Sequence, residues 1–232
     1  MRPSFRVSFW LALIIGGCGP SVVQQGPEAA VQVVASDSMA RVKLAEVARE
    51  VPRAVLELRY ATTQNFTGGV LPGYDAPVVL LRREAALALA KVSARVEAQG
   101  YRLKIWDGYR PVRATLAMVA WTERERRTDL LDDGYIARRS RHNQGVAVDL
   151  TLVRADDGTE LDMGTPFDEF SSRAHTANAT GIVAANRRIL IDAMASAGFT
   201  NYTSEWWHFS FSVPDPLPFD LPLAEWRVRE VR

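Results

Sequence analysis

The run Val146-Ala147-Val148-Asp149-Leu150-Thr151-Leu152-Val153 is the stretch that most restricts how this chain can fold. Its apolar side chains recur with a period of two, which is the pattern of a strand. Val146, Val148, Leu150 and Leu152 form a core face, while Ala147, Asp149 and Thr151 point the other way. That second face presents a carboxylate flanked by small residues, with room for an ion and a ligand. Alone, Asp149 would read as an edge or solvent-facing aspartate. His142, seven residues earlier in a polar loop that Gly145 turns tightly into the strand, argues for a metal-binding pair instead.

The chain has only three histidines, and a second one lies in Glu205-Trp206-Trp207-His208. His142, Asp149 and His208 together offer two imidazoles and a carboxylate. Catalytic zinc sites use this complement when the fourth position stays open. Glu205 is then a general-base candidate. Residues three apart on a strand face opposite ways, so Glu205 and His208 share a site only if Glu205 sits in a turn or at a bulge. Tyr202-Thr203-Ser204 supplies such a turn, and Trp206 and Trp207 read as core aromatics that lower the local dielectric. In Asp107-Gly108-Tyr109-Arg110-Pro111, Arg110 is held between a glycine turn and a helix-starting proline. Its charge is mildly unfavourable at a helix start, and a fixed cation there suits stabilisation of an oxyanion.

At 232 residues, 47% hydrophobic and 24% charged, the chain suits one soluble globular domain. A net charge of +1 argues against nucleic acid as the main partner. The alternating signs of Glu123-Arg124-Glu125-Arg126-Arg127 describe a solvated helix face. Arg2 and Arg6 precede an apolar run, Val7 to Ile15, that suits a signal-peptide core better than a membrane span. Cys18, the only cysteine, ends a lipobox-like Ile15-Gly16-Gly17-Cys18, so no internal disulfide can form. The expected organisation is a lipoprotein-type signal peptide over 1–17, a flexible tether over 18–41 and a catalytic domain over 42–232. Lipid on Cys18 would anchor the protein to a membrane, as a periplasmic lipoprotein of the cell envelope on the outer-membrane side.

Within the domain, Val55 to Tyr60, Tyr101 to Trp106, Val146 to Val153 and Trp206 to Val213 read as strands. Leu81, Ala85, Ala88, Val92 and Val96 mark a helix closed by Gly100. Pro111 starts a helix carrying Leu116, Val119 and Ala120, and a third helix runs from Gly181 to Ala197 before Gly198. No βαβ rhythm appears, so the class is α+β: a single domain with an antiparallel sheet and packed helices. His-Glu-x-x-His, Gly-x-Ser-x-Gly, Ser-x-x-Lys and Walker motifs are absent.

Ser140-x-His142-x-x-Gly145-x-Ala147-x-Asp149 followed by Glu205-Trp206-Trp207-His208 resembles the VanX-type D-alanyl-D-alanine dipeptidases, zinc peptidases with a Hedgehog-related fold. The similarity extends to Tyr60-Ala61-Thr62, Asn65-Phe66-Thr67-Gly68, Trp106-Asp107-Gly108-Tyr109-Arg110-Pro111 and Met163-Gly164-Thr165-Pro166-Phe167-Asp168, in the same order. It implies one zinc ion held by His142, Asp149 and His208, with Glu205 as catalytic base and Arg110 assisting the transition state. The implied substrate is D-Ala-D-Ala or a related small cell-wall peptide. Asp168 is then a candidate either for its ammonium or for capping the following turn, and Ser140 either for its carboxylate or for stabilising the loop, with His175 at the pocket rim or behind a ligand. The segment from Trp121 to Arg139 is shorter than in the resistance enzymes, and Arg141-His142-Asn143-Gln144 is a variant around the first ligand. D,D-carboxypeptidases or endopeptidases of cell-wall peptides, and a non-catalytic zinc-containing binding module, are the rival readings.

Overall fold

The computed structural model describes residues 34–227. The elements in chain order are α1 (Asp37–Lys43), β1 (Leu44–Glu46), α2 (Val47–Glu50), β2 (Val55–Leu56), β3 (Leu80–Arg82), α3 (Arg83–Glu97), β4 (Tyr101–Asp107) and α4 (Val112–Arg124). There follow α5 (Asp129–Asp132), β5 (Ala147–Arg154), α6 (Gly181–Ser196), β6 (Phe199–Asn201), β7 (His208–Phe211) and α7 (Leu223–Arg227), with 3-10 turns at Arg59–Ala61, Arg141–Gln144 and Ser172–Ala174. The α+β class expected from the sequence is the one found.

Five strands form the main sheet in the order β2-β4-β5-β7-β6, and β1 pairs with β3 in a separate two-stranded sheet. The main sheet is antiparallel except at its β2 edge, where β2 runs parallel to β4. Helix α3 packs on β4 and α6 on β6, and the two helices touch. Val148, Leu150 and Leu152 belong to the main apolar core, as their alternation requires. Ala147, Asp149 and Thr151 are buried as well, so β5 is covered on both faces.

Several sequence expectations shift at their ends. The run from Val55 pairs for only two residues before the chain bends into the 3-10 turn at Arg59. Leu81 belongs to β3, not to the helix, which starts at Arg83. On α4, Val119 is buried but Leu116 faces outward at 56% exposure. Residues 37–41, assigned to the tether, are helical: the Ser36 side chain accepts from the Met39 N–H to cap α1, and Ala40 is fully buried. Ala40 packs against the core, so the folded unit starts ahead of residue 42. The signal segment, Cys18 and most of the tether lie outside the described residues. No helix among the described residues is long and apolar enough to cross a membrane.

A register shift in β4 sets up the site. Ile105 pairs with Leu150 and Asp107 with Asp149, so Trp106 is an extra residue in the ladder. In a regular strand Asp107 would share the apolar face of Ile105. The bulge turns it to the face of Asp149 instead. His208 of β7 pairs with Asp149 from the other side. Asp107, Asp149 and His208 therefore stand in one row across three adjacent strands.

Gly145 links the 3-10 turn to β5 with φ of +68°, and a Cβ there would come within 2.6 Å of Leu44 Cδ2. Gly145→Ala should cost about 1–3 kcal/mol from the left-handed backbone alone, before the clash is added. A urea midpoint equal to that of the parent would contradict this reading of the turn.

Candidate metal centre

Each donor is delivered by a different local device. His142 lies in the 3-10 turn, whose cap is reciprocal: Ser140 Oγ accepts from the His142 N–H, and Asn143 Oδ1 accepts from the Ser140 N–H. Asn143 also donates to the Arg110 carbonyl and to Thr115 Oγ1, tying the turn to the start of α4. His142 Nδ1 donates to the Gly108 carbonyl at 2.7 Å, which leaves the Nε2 lone pair free. Gly108 has no space for a side chain, since a Cβ would lie 2.7 Å from the Leu80 carbonyl oxygen.

His142 Nε2, His208 Nδ1 and Asp149 form a tight triangle. The two nitrogens are 3.2 Å apart, His208 Nδ1 lies 2.9 Å from Asp149 Oδ1, and His142 Nε2 lies 3.3 Å from Asp149 Oδ2. A tetrahedral zinc with bonds of about 2.0–2.1 Å needs ligand atoms roughly 3.3 Å apart. The observed triangle matches one face of that tetrahedron, and all three residues line the same pocket. Burial lowers the pKa of His208 despite the opposing pull of Asp149, favouring the neutral imidazole a metal requires. Burial alone would raise the Asp149 pKa, but the neighbouring His142 and His208 outweigh it and hold the carboxyl below its ordinary value.

Glu205 sits in the turn between β6 and β7, as its spacing from His208 demands, with Oε2 3.8 Å from His208 Nδ1. Asn201 organises this turn by donating to the carbonyls of Glu205 and His208, both at 3.0 Å. Burial pushes the Glu205 pKa well above its ordinary value; Asp149 and Asp168 add to the shift and Arg110 opposes it.

Arg110 is buried, and its Nε and Nη2 donate to Asp107 Oδ2 at 3.0 and 2.8 Å. Its Nη2 is 3.9 Å from Asp149 Oδ2, its Cζ lies 5.0 Å from the Tyr60 ring centroid, and among the described residues Nη1 meets only Met118 Sδ. Asp107 Oδ1 accepts from the Tyr74 hydroxyl and the Gly108 N–H. Asp107 and Tyr74 were not identified as site residues from the sequence. The i,i+3 spacing of Asp107 and Arg110 was a signal for the pair, but the bulge that turns Asp107 inward left no mark in the residue pattern.

The cavity has a volume of about 260 Å³ and is lined by Arg110, Ser140, His142, Asp149, Asp168, Glu205 and His208, with aromatic walls. That is below the usual size of drug-binding pockets and suits a small ligand. Asp168 has φ of +61° and accepts from the Tyr60 hydroxyl at 3.0 and 3.1 Å. Burial, reinforced by Asp149, pushes its pKa up to about 8. His175 is absent from the donor triangle; its Nε2 meets the Tyr135 hydroxyl at 3.0 Å, one residue behind the pocket wall.

Two imidazoles, a carboxylate, a buried glutamate and a buried arginine around one small cavity define a metal-dependent hydrolase. The chain belongs to the D-Ala-D-Ala dipeptidase family of peptidases M15, whose family model matches residues 40–220. It is 38% identical over 186 residues to a D-alanyl-D-alanine dipeptidase of Enterococcus faecium, covering 72% of this chain and 91% of that one. A dipeptidase of the same description from Streptomyces coelicolor is 35% identical over 72% of this chain and 92% of its own length. The one from Escherichia coli is 37% identical over 72% and 83% respectively.

In the metal-free domain, Asp168 holds a proton in the folded state that the unfolded chain releases near its ordinary pKa of 3.8. This group therefore supports folding fully below about pH 4 and opposes it increasingly as pH rises towards 8. Asp168→Asn removes that titration. The Tm of the metal-free variant relative to the parent should rise between pH 4 and pH 8, and a pH-independent difference would contradict the assignment.

Proposed function

We propose that this protein hydrolyses the D-alanyl-D-alanine dipeptide to two D-alanines, using one zinc ion per chain, in the turnover or recycling of cell-wall peptides. The observation that carries this reading is the meeting of the donor triangle, Glu205 and Arg110 in one small cavity that also contains Asp168. A carboxylate in that wall calls for a cationic partner from the substrate, and a dipeptide brings a free ammonium. The amide nitrogen of a longer peptide would leave Asp168 without a counter-charge, which penalises the longer substrate. High identity to dipeptidases over most of their length supports the same choice.

His142, Asp149 and His208 would hold the metal. When bound, zinc supplies Lewis-acid polarisation of a carbonyl oxygen and lowers the pKa of water towards neutrality. Glu205 takes a proton from the attacking water as the new C–O bond forms. It then returns that proton to the amine nitrogen as the C–N bond breaks, a role suited to a carboxyl with a raised pKa. Arg110 Nη1, which meets a weak sulfur acceptor, Met118 Sδ, is available to the oxyanion that develops on the scissile carbonyl. Asp107 keeps the guanidinium charged and aimed, since burial alone would lower its pKa and Asp107 reverses the shift. Asp168 and the Tyr60 hydroxyl receive the substrate ammonium. Ser140 Oγ already accepts from the turn, and its own O–H remains free to donate to the substrate carboxylate.

The test is release of D-alanine by the zinc-loaded domain, with D-Ala-D-Ala and a cell-wall pentapeptide compared side by side. Cleavage of the dipeptide alone is expected. Cleavage of the pentapeptide would reassign the protein as a carboxypeptidase, and zinc binding without either activity would make it a binding module. Glu205→Ala should keep its zinc and lose nearly all turnover. Arg110→Ala should lower kcat by about 10²–10³, by analogy with loss of an oxyanion donor; a loss below about tenfold would remove Arg110 from that role.

We further propose that the N-terminal pattern directs the protein to the cell envelope, with lipid on Cys18. Radiolabelled palmitate should enter the parent chain and not Cys18→Ala; equal labelling would exclude this site.

A further inference from the structure

Arg187 of α6 is only 2% exposed, and no carboxylate lies within ion-pair distance of it among the described residues. Its donors are spent on main-chain carbonyls instead. Nε donates to Met163 O at 2.8 Å, Nη1 to His175 O at 2.7 Å and Thr176 O at 3.5 Å, and Nη2 to Arg173 O at 3.1 Å. These acceptors bracket the loop of residues 163–176, which presents Asp168 to the pocket. Burying an arginine without a counter-ion is costly unless its donors are satisfied, and here one rigid fork gathers carbonyls from both ends of the loop.

The loop needs such a clamp. Asp168 adopts a left-handed backbone, a state that a non-glycine residue keeps only when its surroundings impose it. Among the described residues its side chain has just the Tyr60 hydroxyl as a hydrogen-bond partner. The same loop is fastened to Trp206 through the Trp206 N–H to Ala174 O and the Trp206 indole N–H to Thr165 Oγ1. The Arg187 guanidinium lies 5.9 Å from that indole. Glu205, next to Trp206, has its own anchor in Asn201 and in the β6–β7 hairpin. Loss of the clamp should therefore loosen Asp168 much more than Glu205 or the metal ligands.

We propose that Arg187 is a positioning residue for recognition of the substrate's amino end, fixing the Asp168 loop through main-chain carbonyls, far from the reacting bond. This inference rests on the dipeptidase reading given above. It also accounts for His175, whose carbonyl is part of the clamp while its ring supports Tyr135.

The test uses the full zinc-loaded protein and D-Ala-D-Ala. Arg187→Lys keeps a buried cation at this position but cannot bridge both ends of the loop. KM should rise about tenfold or more, as expected for loss of hydrogen bonds to a charged group, with kcat nearly unchanged and zinc retained. In an Asp168→Asn background the same substitution should change KM little, because the two residues act through one contact. If Arg187→Lys lowers thermal stability but leaves KM at the parent value, the role is structural only and the proposal is overturned. Equal losses in kcat and KM in both backgrounds overturn it as well. Should Arg187→Lys fail to fold, Arg187→Gln substitutes for it, since a single amide also cannot span Met163 O, Arg173 O and His175 O, and a KM at the parent value in that variant overturns the proposal. A parent protein that leaves D-Ala-D-Ala intact would instead sink the dipeptidase reading itself.

Discussion

Four carboxyl groups, Asp107, Asp149, Asp168 and Glu205, surround a single buried guanidinium, that of Arg110. Low dielectric makes this imbalance expensive, because each added negative charge is felt at the others. Asp107 is neutralised directly by Arg110, and Asp149 is held ionised by its histidines. The remaining two respond as unpaired buried carboxyls do, with raised pKa values. A divalent cation in the donor triangle would remove the imbalance at its centre, and on the proposed reading a substrate ammonium would remove it at Asp168.

The scaffold holds this charge by backbone devices more than by side-chain packing. The bulge at Trp106 brings Asp107 onto the face of Asp149. The Gly108 carbonyl selects the tautomer of His142, and Gly145 lets the His142 turn enter β5 without a clash. Asn201 plays the matching part for the Glu205 turn, where one amide serves several carbonyls. The candidate donors, drawn from β5, β7 and a capped turn, are held relative to one another by the sheet and the turn that joins it.

The pocket wall also carries aromatic rings. Phe66 packs edge-on to Trp121 and Phe170 at 5.0 and 5.1 Å between ring centroids, and Tyr60 joins them through Phe66 at 6.1 Å. Rings packed this way are rigid and exclude water, which strengthens the electrostatics of the site. Tyr60 serves both parts at once: its face meets the Arg110 cation and its hydroxyl meets Asp168.

The donor residues were legible in the sequence because their chemistry is local. A period-two strand carrying one carboxylate, a histidine in the loop before it, and a glutamate three residues ahead of another histidine each limit what those segments can do. The α+β class followed from the same periodicities, and the turn at Glu205 from the conflict between spacing and strand geometry. The tether boundary was misplaced because small residues such as Ala40 serve equally well in a linker and against a core. Tyr74 and Arg187 carried no pattern at all, and Asp107 carried only its spacing from Arg110. Their roles depend on a bulge, on burial and on carbonyls brought together from distant parts of the chain, and these are long-range properties. Sequence alone determined which atoms could bind a metal and move a proton. Only the tertiary structure decided their separations, their protonation and which buried charge faces which, because those quantities depend on distances that no local pattern encodes.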